Sequence, residues 1–249
     1  MNLAILNNAI ELGKAAGSKA AQLIREAIVA KGEASIILAT GASQFETIIQ
    51  LIAEKNIDWS KVTVFHLDEY IGLPKTHRAS FRKYLEDRFL SKLPSLSAVH
   101  LIDGEKETIG ECARLGQLIR NHPVDVALVG IGENGHLAFN DPPADFETDQ
   151  PYIIVALDEA CRKQQLNEGW FTSIDEVPAF AISMSVNQIL QSNYIICSVP
   201  DSRKAMAVKN TFEQPVSNLY PAGILQLHPN CFFYLDTHSA ALLSQISYK

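Results

Sequence analysis

The sequence predicts an α/β fold, namely an open, doubly wound, mainly parallel sheet flanked by helices (Rossmann-like) with a small lid segment. Short apolar runs alternate with segments that repeat apolar residues at helical spacing. The runs are apolar throughout, which is typical of parallel strands covered by helices on both faces. The chain has 249 residues, 47% of them hydrophobic, and no repeat or linker divides it. We therefore expect a single domain over residues 1–249.

The first half of the chain supplies a regular order of elements. Residues 3–31 carry apolar side chains at helical spacing and stop at Lys31 and Gly32, which predicts one long amphipathic helix. Strands and helices then alternate up to residue 131. The predicted strands are 34–40, 62–67, 99–102 and 124–131, and the predicted helices are 45–55, 80–90 and 106–120.

Beyond residue 131 the alternation stops for roughly twenty residues rich in Gly, Asn, Asp and Pro. A loop of this length in a compact domain usually has a function. Residues 158–178 then predict a polar helix and a loop. The later predicted strands are 152–157, 179–184, 194–199 and 231–235, and the later predicted helices are 186–191, 202–212 and 239–246.

Composition excludes several classes of protein. The chain has 21 Lys and Arg against 28 Asp and Glu, a net charge of −7, and no basic block, so nucleic acid is not an expected partner. No run of about 18 apolar residues and no basic leader occur, so we expect no membrane partner and a cytoplasmic location. The four cysteines lack metal-ligand spacing, which favours free thiols over disulfides or zinc.

In doubly wound folds, ligands bind beyond the carboxyl ends of the strands, so the loops at those ends are the candidate sites. One of them contains Thr40, Gly41, Ala42 and Ser43 between an apolar strand and a helix. Backbone N–H groups, the helix dipole and two hydroxyls make this turn a candidate anion site. An ordinary turn with Ser43 as the helix N-cap is the alternative.

Two adjacent carboxylates, Asp68 and Glu69, arrive where the strand 62–67 ends. Neighbouring strand residues point to opposite sides, so one can act as a base while the other is a structural hydrogen-bond acceptor. Helix-capping acids occupy the same kind of position and are the alternative. His66, inside the strand, is expected to be a core histidine.

The glycine-rich loop after residue 129 contains a formal G-x-G-x-x-G. We reject a dinucleotide site because this fingerprint must open a helix, whereas here it leads directly to Asn140, Asp141 and two prolines. The loop places His136 close in sequence to Asp141, a pairing suited to general acid/base work. A histidine that only stabilises the loop is the alternative.

Arg203 and Lys204 follow the strand 194–199 at a helix start. Cations in a first helical turn oppose the helix dipole, so two together indicate an anion shared between them and the N–H groups. A solvated surface pair is the alternative.

These motifs together resemble a known family. FHLDEYIGLP, VGIGENGHLAFNDPP, LATGAS and SRKAMA occur in the order found in the glucosamine-6-phosphate deaminase/isomerase family. The resemblance implies conversion of an amino-sugar 6-phosphate and water into a ketose 6-phosphate and ammonia. It also implies a sugar phosphate as the small-molecule partner, no metal or redox cofactor, and a possible homo-oligomer.

Site residues follow from the same resemblance. Asp68 resembles the base that moves a proton between C2 and C1, and His136 resembles the acid that opens the sugar ring. Asp141 stands where the family usually has Glu and would orient His136, while Asn134 stands where well-studied members have Asp. The matching phosphate-binding positions are Thr40, Gly41, Ala42, Ser43 and Lys204.

Two departures from the family pattern concern its basic residues. The arginine that precedes an aromatic pair in the family has no equivalent before Trp170 and Phe171, and the candidates to replace it are Arg162, Lys163 and Arg203. Basic residues used for activation by an N-acetylated sugar phosphate are also missing, so we expect no such activation.

Two other functions stay open at this point. A 6-phosphogluconolactonase shares the G-x-x-G-H loop but has a different strand end and a different continuation of the loop. A catalytically silent sugar-phosphate sensor is the non-enzyme alternative.

Overall fold

The computed structural model of the protein describes residues 2–244. The strands are β1 (Asn2–Leu6), β2 (Ala34–Leu38), β3 (Val62–His66), β4 (Asp68–Tyr70), β5 (Ala98–His100), β6 (Val126–Val129), β7 (Tyr152–Ala156), β8 (Phe180–Met184), β9 (Tyr194–Val199) and β10 (Cys231–Asp236). The helices are α1 (Ala9–Lys31), α2 (Phe45–Ala53), α3 (Phe81–Arg88), α4 (Thr108–Arg120), α5 (Glu159–Asn167), α6 (Val186–Leu190) and α7 (Ala205–Glu213).

The main sheet confirms the predicted fold class. Within residues 2–244 it has seven strands in the order β1-β10-β9-β6-β2-β3-β5, and every neighbouring pair is parallel. Ile36 and Ile37 are both fully buried, yet they pack into different apolar clusters on opposite faces of the sheet. Burial on both faces explains why the strand sequences are apolar throughout.

A second, antiparallel sheet has the strand order β4-β8-β7. Asp68 pairs with Ser183 and Glu69 with Ile182 in this sheet. The sequence did not predict β4 because three residues with adjacent charges carry no apolar periodicity. This sheet turns the chain out of the main sheet directly after β3 and so fixes the direction of both carboxylates.

The predicted helix over 3–31 was wrong at its beginning. Residues Asn2–Leu6 form β1, which pairs in parallel with β10, and the helix begins at Ala9 after the Asn8 side chain accepts a hydrogen bond from Glu11 N. Local spacing favoured a helix, but an edge strand gains its hydrogen bonds from a partner more than 200 residues away, which no local pattern contains.

The predicted C-terminal helix over 239–246 is also wrong over residues 239–244. Residues 239–244 form turns and irregular structure, and residues 245–246 lie outside the described residues. None of the helices between residues 2 and 244 combines the length and the apolar character that a membrane crossing requires.

Helix α2, which follows the Thr40–Ser43 turn, is held by close packing against α1. A Cβ atom built at Gly13 would lie 2.2 Å from Glu46 Cβ, and one built at Gly17 would lie 2.7 Å from Gln50 Cβ. Real Cβ atoms do not approach this closely, so the two glycines set the distance between the helices.

We expect Gly13→Val to lower the free energy of unfolding by about 1–3 kcal/mol, because the added side chain must push α2 away from α1. Lys14→Val, at the exposed neighbouring position, serves as the matched control for the helix propensity of valine. Urea denaturation of both variants measures the effect. Equal stability of the two variants would contradict the close packing.

Candidate active site

A cavity of about 500 Å³ opens at the carboxyl ends of the parallel strands. It is the place where loops that are far apart in sequence meet. Of the residues predicted for the site, the cavity is lined by Thr40, Gly41, Ala42, Ser43, Asp68, His136 and Lys204. Asn134 and Asp141 stand behind His136 and contact it rather than the cavity.

The Thr40–Ser43 turn is held from two sides. Tyr84 Oη donates a hydrogen bond to the carbonyl of Gly41 at 3.0 Å, and Gln44 Nε2 donates to the carbonyl of Val129 at 3.2 Å. Gly41 has φ 91°, a left-handed conformation that favours glycine. Ser43 does not cap α2, since the residue before that helix is Gln44 and no side chain caps it. The alternative of a plain N-cap is therefore wrong.

Lys204 brings a buried positive charge to the other side of the cavity. Its exposed fraction is 6%, burial lowers its pKa, and no carboxylate of residues 2–244 lies within ion-pair distance of its Nζ. Arg203 is different, because it is half-exposed and pairs with Asp201 at 2.8 Å and with Glu133 at 3.7 Å. The ammonium of Lys204 is thus the cation available to an anion in the cavity.

The three candidate replacements for the missing arginine differ in whether their side chains line the cavity. Arg203 lines the cavity, whereas Arg162 donates to the carbonyls of Ile174 and Val177. Lys163 lies on the exposed side of α5 and pairs with Glu159. Arg203 is therefore the one of the three that faces the cavity.

Asp68 is a buried carboxylate at the cavity wall. Its exposed fraction is 6%, and its Oδ1 has no hydrogen-bond partner among the described residues. Burial, helped by the nearby charge of Glu69, raises the pKa of Asp68 to about 8. A carboxylate in this state is a stronger base than one in water.

Glu69 points away from the cavity, as the alternation of side chains predicts. Its carboxylate accepts hydrogen bonds from Ser80 Oγ at 2.8 Å, from Arg82 N at 2.9 Å and from Arg82 Nε at 3.4 Å. Arg82 also reaches Asp103 at 2.8 Å. Glu69 is a structural acceptor that ties β4 to α3, and Asp68 is left to the cavity. His66 is fully buried in the core, as expected.

The glycine-rich loop forms turns and not a helix, which confirms that it is not a dinucleotide fingerprint. It folds back on itself through a hydrogen bond from Gly132 N to the carbonyl of His136 at 2.9 Å. A Cβ at Gly132 would lie 2.3 Å from the imidazole ring of His136, so the glycine makes room for that ring. His136 is held in this way at the edge of the cavity.

Asp141 and Asn134 hold the imidazole from behind. Asp141 Oδ1 lies 3.1 Å from His136 Nδ1 and accepts from Asn134 Nδ2 at 2.9 Å, while Asn134 Oδ1 accepts from His136 N at 3.1 Å. Burial raises the pKa of Asp141, but the adjacent His136 ring and the hydrogen bond from Asn134 outweigh this effect and hold the pKa below its usual value. The carboxylate therefore stays ionised beside the ring and orients it.

Residues His136, Asp141 and Cys161 also form the candidate group for a metal ion, since their ligand atoms lie within 4.8 Å of one another. A metal ion there would take the Nδ1 lone pair that faces Asp141. A metal ion bound through Nδ1 would therefore replace the proton that this nitrogen can share with Asp141. Cys112, Cys161, Cys197 and Cys231 are all free thiols, in agreement with the sequence.

The sequence missed one wall of the cavity. Gln164, Gln165 and Glu168 on or next to α5 line it. They belong to the segment 158–178, which packs through Phe171 on Tyr70 at a ring distance of 5.5 Å. The spacing of the three residues, together with Cys161, marks a single helical face and was the available signal.

Replacing Asp68 tests the cost of its burial. The folded-state pKa is raised from 3.8 to about 8, so the native state favours the neutral form and loses stability as the pH rises through this range. We expect Asp68→Asn to stabilise the protein little at pH 4 and by up to about 5 kcal/mol at pH 8. Thermal unfolding across this range measures the gain.

The exposed Asp175 provides the matched variant, Asp175→Asn, for which no such pH-dependent gain is expected. A gain for Asp68→Asn that does not change between pH 4 and pH 8 would show that its carboxyl is not desolvated.

Comparisons with known proteins agree over nearly the whole chain. A sequence profile described as glucosamine-6-phosphate isomerases/6-phosphogluconolactonase matches residues 7–233. A protein named glucosamine-6-phosphate deaminase from Lactobacillus delbrueckii subsp. bulgaricus is 36% identical over 244 residues, which are 98% of this chain and 100% of that protein.

Two solved structures resemble this one. A monomeric glucosamine-6-phosphate deaminase superimposes with a TM-score of 0.87 at 32% identity, over 97% of this chain and 100% of that chain. A 6-phosphogluconolactonase from Trypanosoma brucei superimposes with a TM-score of 0.78 at 19% identity, over 98% of each chain, and so shares the fold. The protein belongs to the glucosamine-6-phosphate isomerase/6-phosphogluconolactonase family.

Proposed function

We propose that the protein converts a hexosamine 6-phosphate and water into a ketose 6-phosphate and ammonia. Glucosamine 6-phosphate is the first candidate substrate and galactosamine 6-phosphate the second. The observation that carries the proposal is a single cavity lined by a buried base, a carboxylate-oriented histidine and an unpaired buried ammonium: Asp68, His136 and Lys204. The match to deaminases over the whole chain supports the same reaction.

The phosphate end of the substrate is assigned to the Thr40–Ser43 turn and Lys204. Free N–H groups and hydroxyls suit the oxygen atoms of a phosphate, and the ammonium supplies the full positive charge. Arg203 contributes less because Asp201 and Glu133 already neutralise it.

At the other end, His136 acts first. It gives a proton to the ring oxygen, the C1–O5 bond breaks, the C1 hydroxyl releases its proton to water, and the open-chain aldehyde forms. Asp141 and Asn134 keep the imidazole in the orientation for this transfer.

Asp68 then removes the proton at C2 while the carbonyl oxygen at C1 takes a proton from the substrate's ammonium group, which gives an enolamine, and the same carboxyl returns a proton at C1. The resulting iminium ion at C2 adds water and releases ammonia and a proton, which leaves the ketose 6-phosphate. The high pKa of Asp68 matches the weakly acidic C2–H, and the approach of the substrate's amine cation stabilises the ionised carboxylate. All of these steps use residues that line the cavity, together with Asp141 and Asn134, which orient His136.

An activity panel tests the proposal. We expect ammonia and ketose from glucosamine 6-phosphate or galactosamine 6-phosphate, and a loss of about 10²–10⁴-fold in turnover and in C2 proton exchange for Asp68→Asn. Asp175→Asn is the control acid and keeps its activity. Hydrolysis of 6-phosphogluconolactone without ammonia release would favour the lactonase, and binding without any turnover would favour a sensor.

Lys204→Met tests the phosphate end separately. We expect KM for the sugar phosphate to rise about 10- to 100-fold with a smaller change in kcat, because the variant loses a charge-assisted contact and keeps the acid/base groups. Lys209→Met, on the helix that follows, is the control for the loss of a lysine. An unchanged KM for Lys204→Met would overturn the phosphate assignment.

A further inference from the structure

The face of α5 that points inward is polar, although it is buried. Cys161, Gln164, Gln165 and Glu168 are spaced at i, i+3, i+4 and i+7 and lie on one face. Gln164 and Gln165 are 7% and 5% exposed, and both line the cavity together with Glu168. The proposed acid/base chemistry and phosphate contacts use none of these side chains.

The two glutamines differ in how their amides are satisfied. Gln164 is engaged at both ends, because its Oε1 accepts from Glu133 N at 2.9 Å and its Nε2 donates to Glu168 Oε1 at 2.9 Å. Gln165 Oε1 is buried and has no hydrogen-bond partner among the described residues. A buried acceptor without a partner destabilises the folded protein, and Gln165 is one of the residues that line the cavity, so a ligand that reaches its amide can supply the missing donor.

The ends of α5 locate Gln165 relative to the substrate. Cys161 Sγ lies within 4.8 Å of the His136 and Asp141 ligand atoms, at the acid/base end. Glu168 accepts a hydrogen bond from Gln164, which accepts one from Glu133 N, and the Glu133 carboxylate lies 3.7 Å from Arg203, the neighbour of Lys204. Glu168 therefore marks the phosphate end. With a rise of 1.5 Å per residue, Gln165 stands about 6 Å along the helix from one marker and about 4.5 Å from the other.

We infer that Gln165 is a specificity-determining residue whose Oε1 accepts a hydrogen bond from the C3 or C4 hydroxyl of the sugar. The inference rests on the proposed function, which places C1 and C2 at Asp68 and the phosphate at Lys204. In the ring form of the sugar, the phosphate dianion and the ring oxygen have no proton to donate, so between the two ends the available donors are the hydroxyls of C3 and C4.

Gln165→Met tests this assignment, because methionine keeps the length of the side chain and removes the acceptor. The affinity of fructose 6-phosphate, the proposed product, is measured by calorimetry, and KM is measured for glucosamine 6-phosphate and its 3-deoxy and 4-deoxy analogues. Asn167→Met is the matched control, since it also replaces a side-chain amide with methionine, but at an exposed position of the same helix.

We expect Gln165→Met to weaken the binding of the parent sugar about 10- to 100-fold, which is the cost of one lost hydrogen bond in a buried site. For one of the two deoxy analogues, wild type and variant should have equal KM. The melting temperature should stay the same or rise, because no protein hydrogen bond is lost. Asn167→Met should change neither affinity nor discrimination.

An equal loss for the parent and both deoxy analogues, or no loss for any of them, would overturn the role of Gln165. A lower melting temperature together with uniformly weak binding would show that Gln165 is structural. Wild-type protein that binds no sugar phosphate would overturn the proposed function itself and the inference with it.

Discussion

The parallel arrangement of the main sheet is the constraint on which the site depends. Neighbouring parallel strands end at the same edge, so the loops that follow β2, β3, β6 and β9 meet there, although they are spread over more than 160 residues of sequence. The register makes the meeting close, since Leu38 pairs with both His66 and Leu128. These loops contribute the Thr40–Ser43 turn, the Asp68 carboxylate, the His136 imidazole and the Lys204 ammonium to the cavity.

The short antiparallel strand β4 turns this shared edge into a site with distinct roles. It fixes Asp68 and Glu69 on opposite sides, so that one carboxylate receives several donors from α3 and the other is buried without a partner at Oδ1. Adjacent residues of the same chemical type therefore differ in function because their hydrogen-bond partners differ.

The sequence predicted the strands and loops that can be identified from local residue patterns. Apolar runs located the main-sheet strands that cross the site, and glycine, carboxylate and histidine patterns located the loops at their ends. It could not predict β1, because its stability comes from pairing with β10. It also read the α5 segment as an ordinary polar helix: Gln165 and Glu168 look like surface residues, and only the fold reveals that this polar face lines a cavity.

The charge of the chain illustrates the same difference between global and local properties. A net charge of −7 opposes a phosphate dianion at long range, but screening limits that effect to about 8 Å at physiological salt. Within that distance the relevant groups are few. Arg203 is paired with Asp201, whereas no carboxylate of residues 2–244 lies within ion-pair distance of Lys204. In the proposed function, a phosphate is therefore held by this ammonium together with the neutral N–H and hydroxyl donors of the Thr40–Ser43 turn, and its position relative to α5 determines which hexosamine fits.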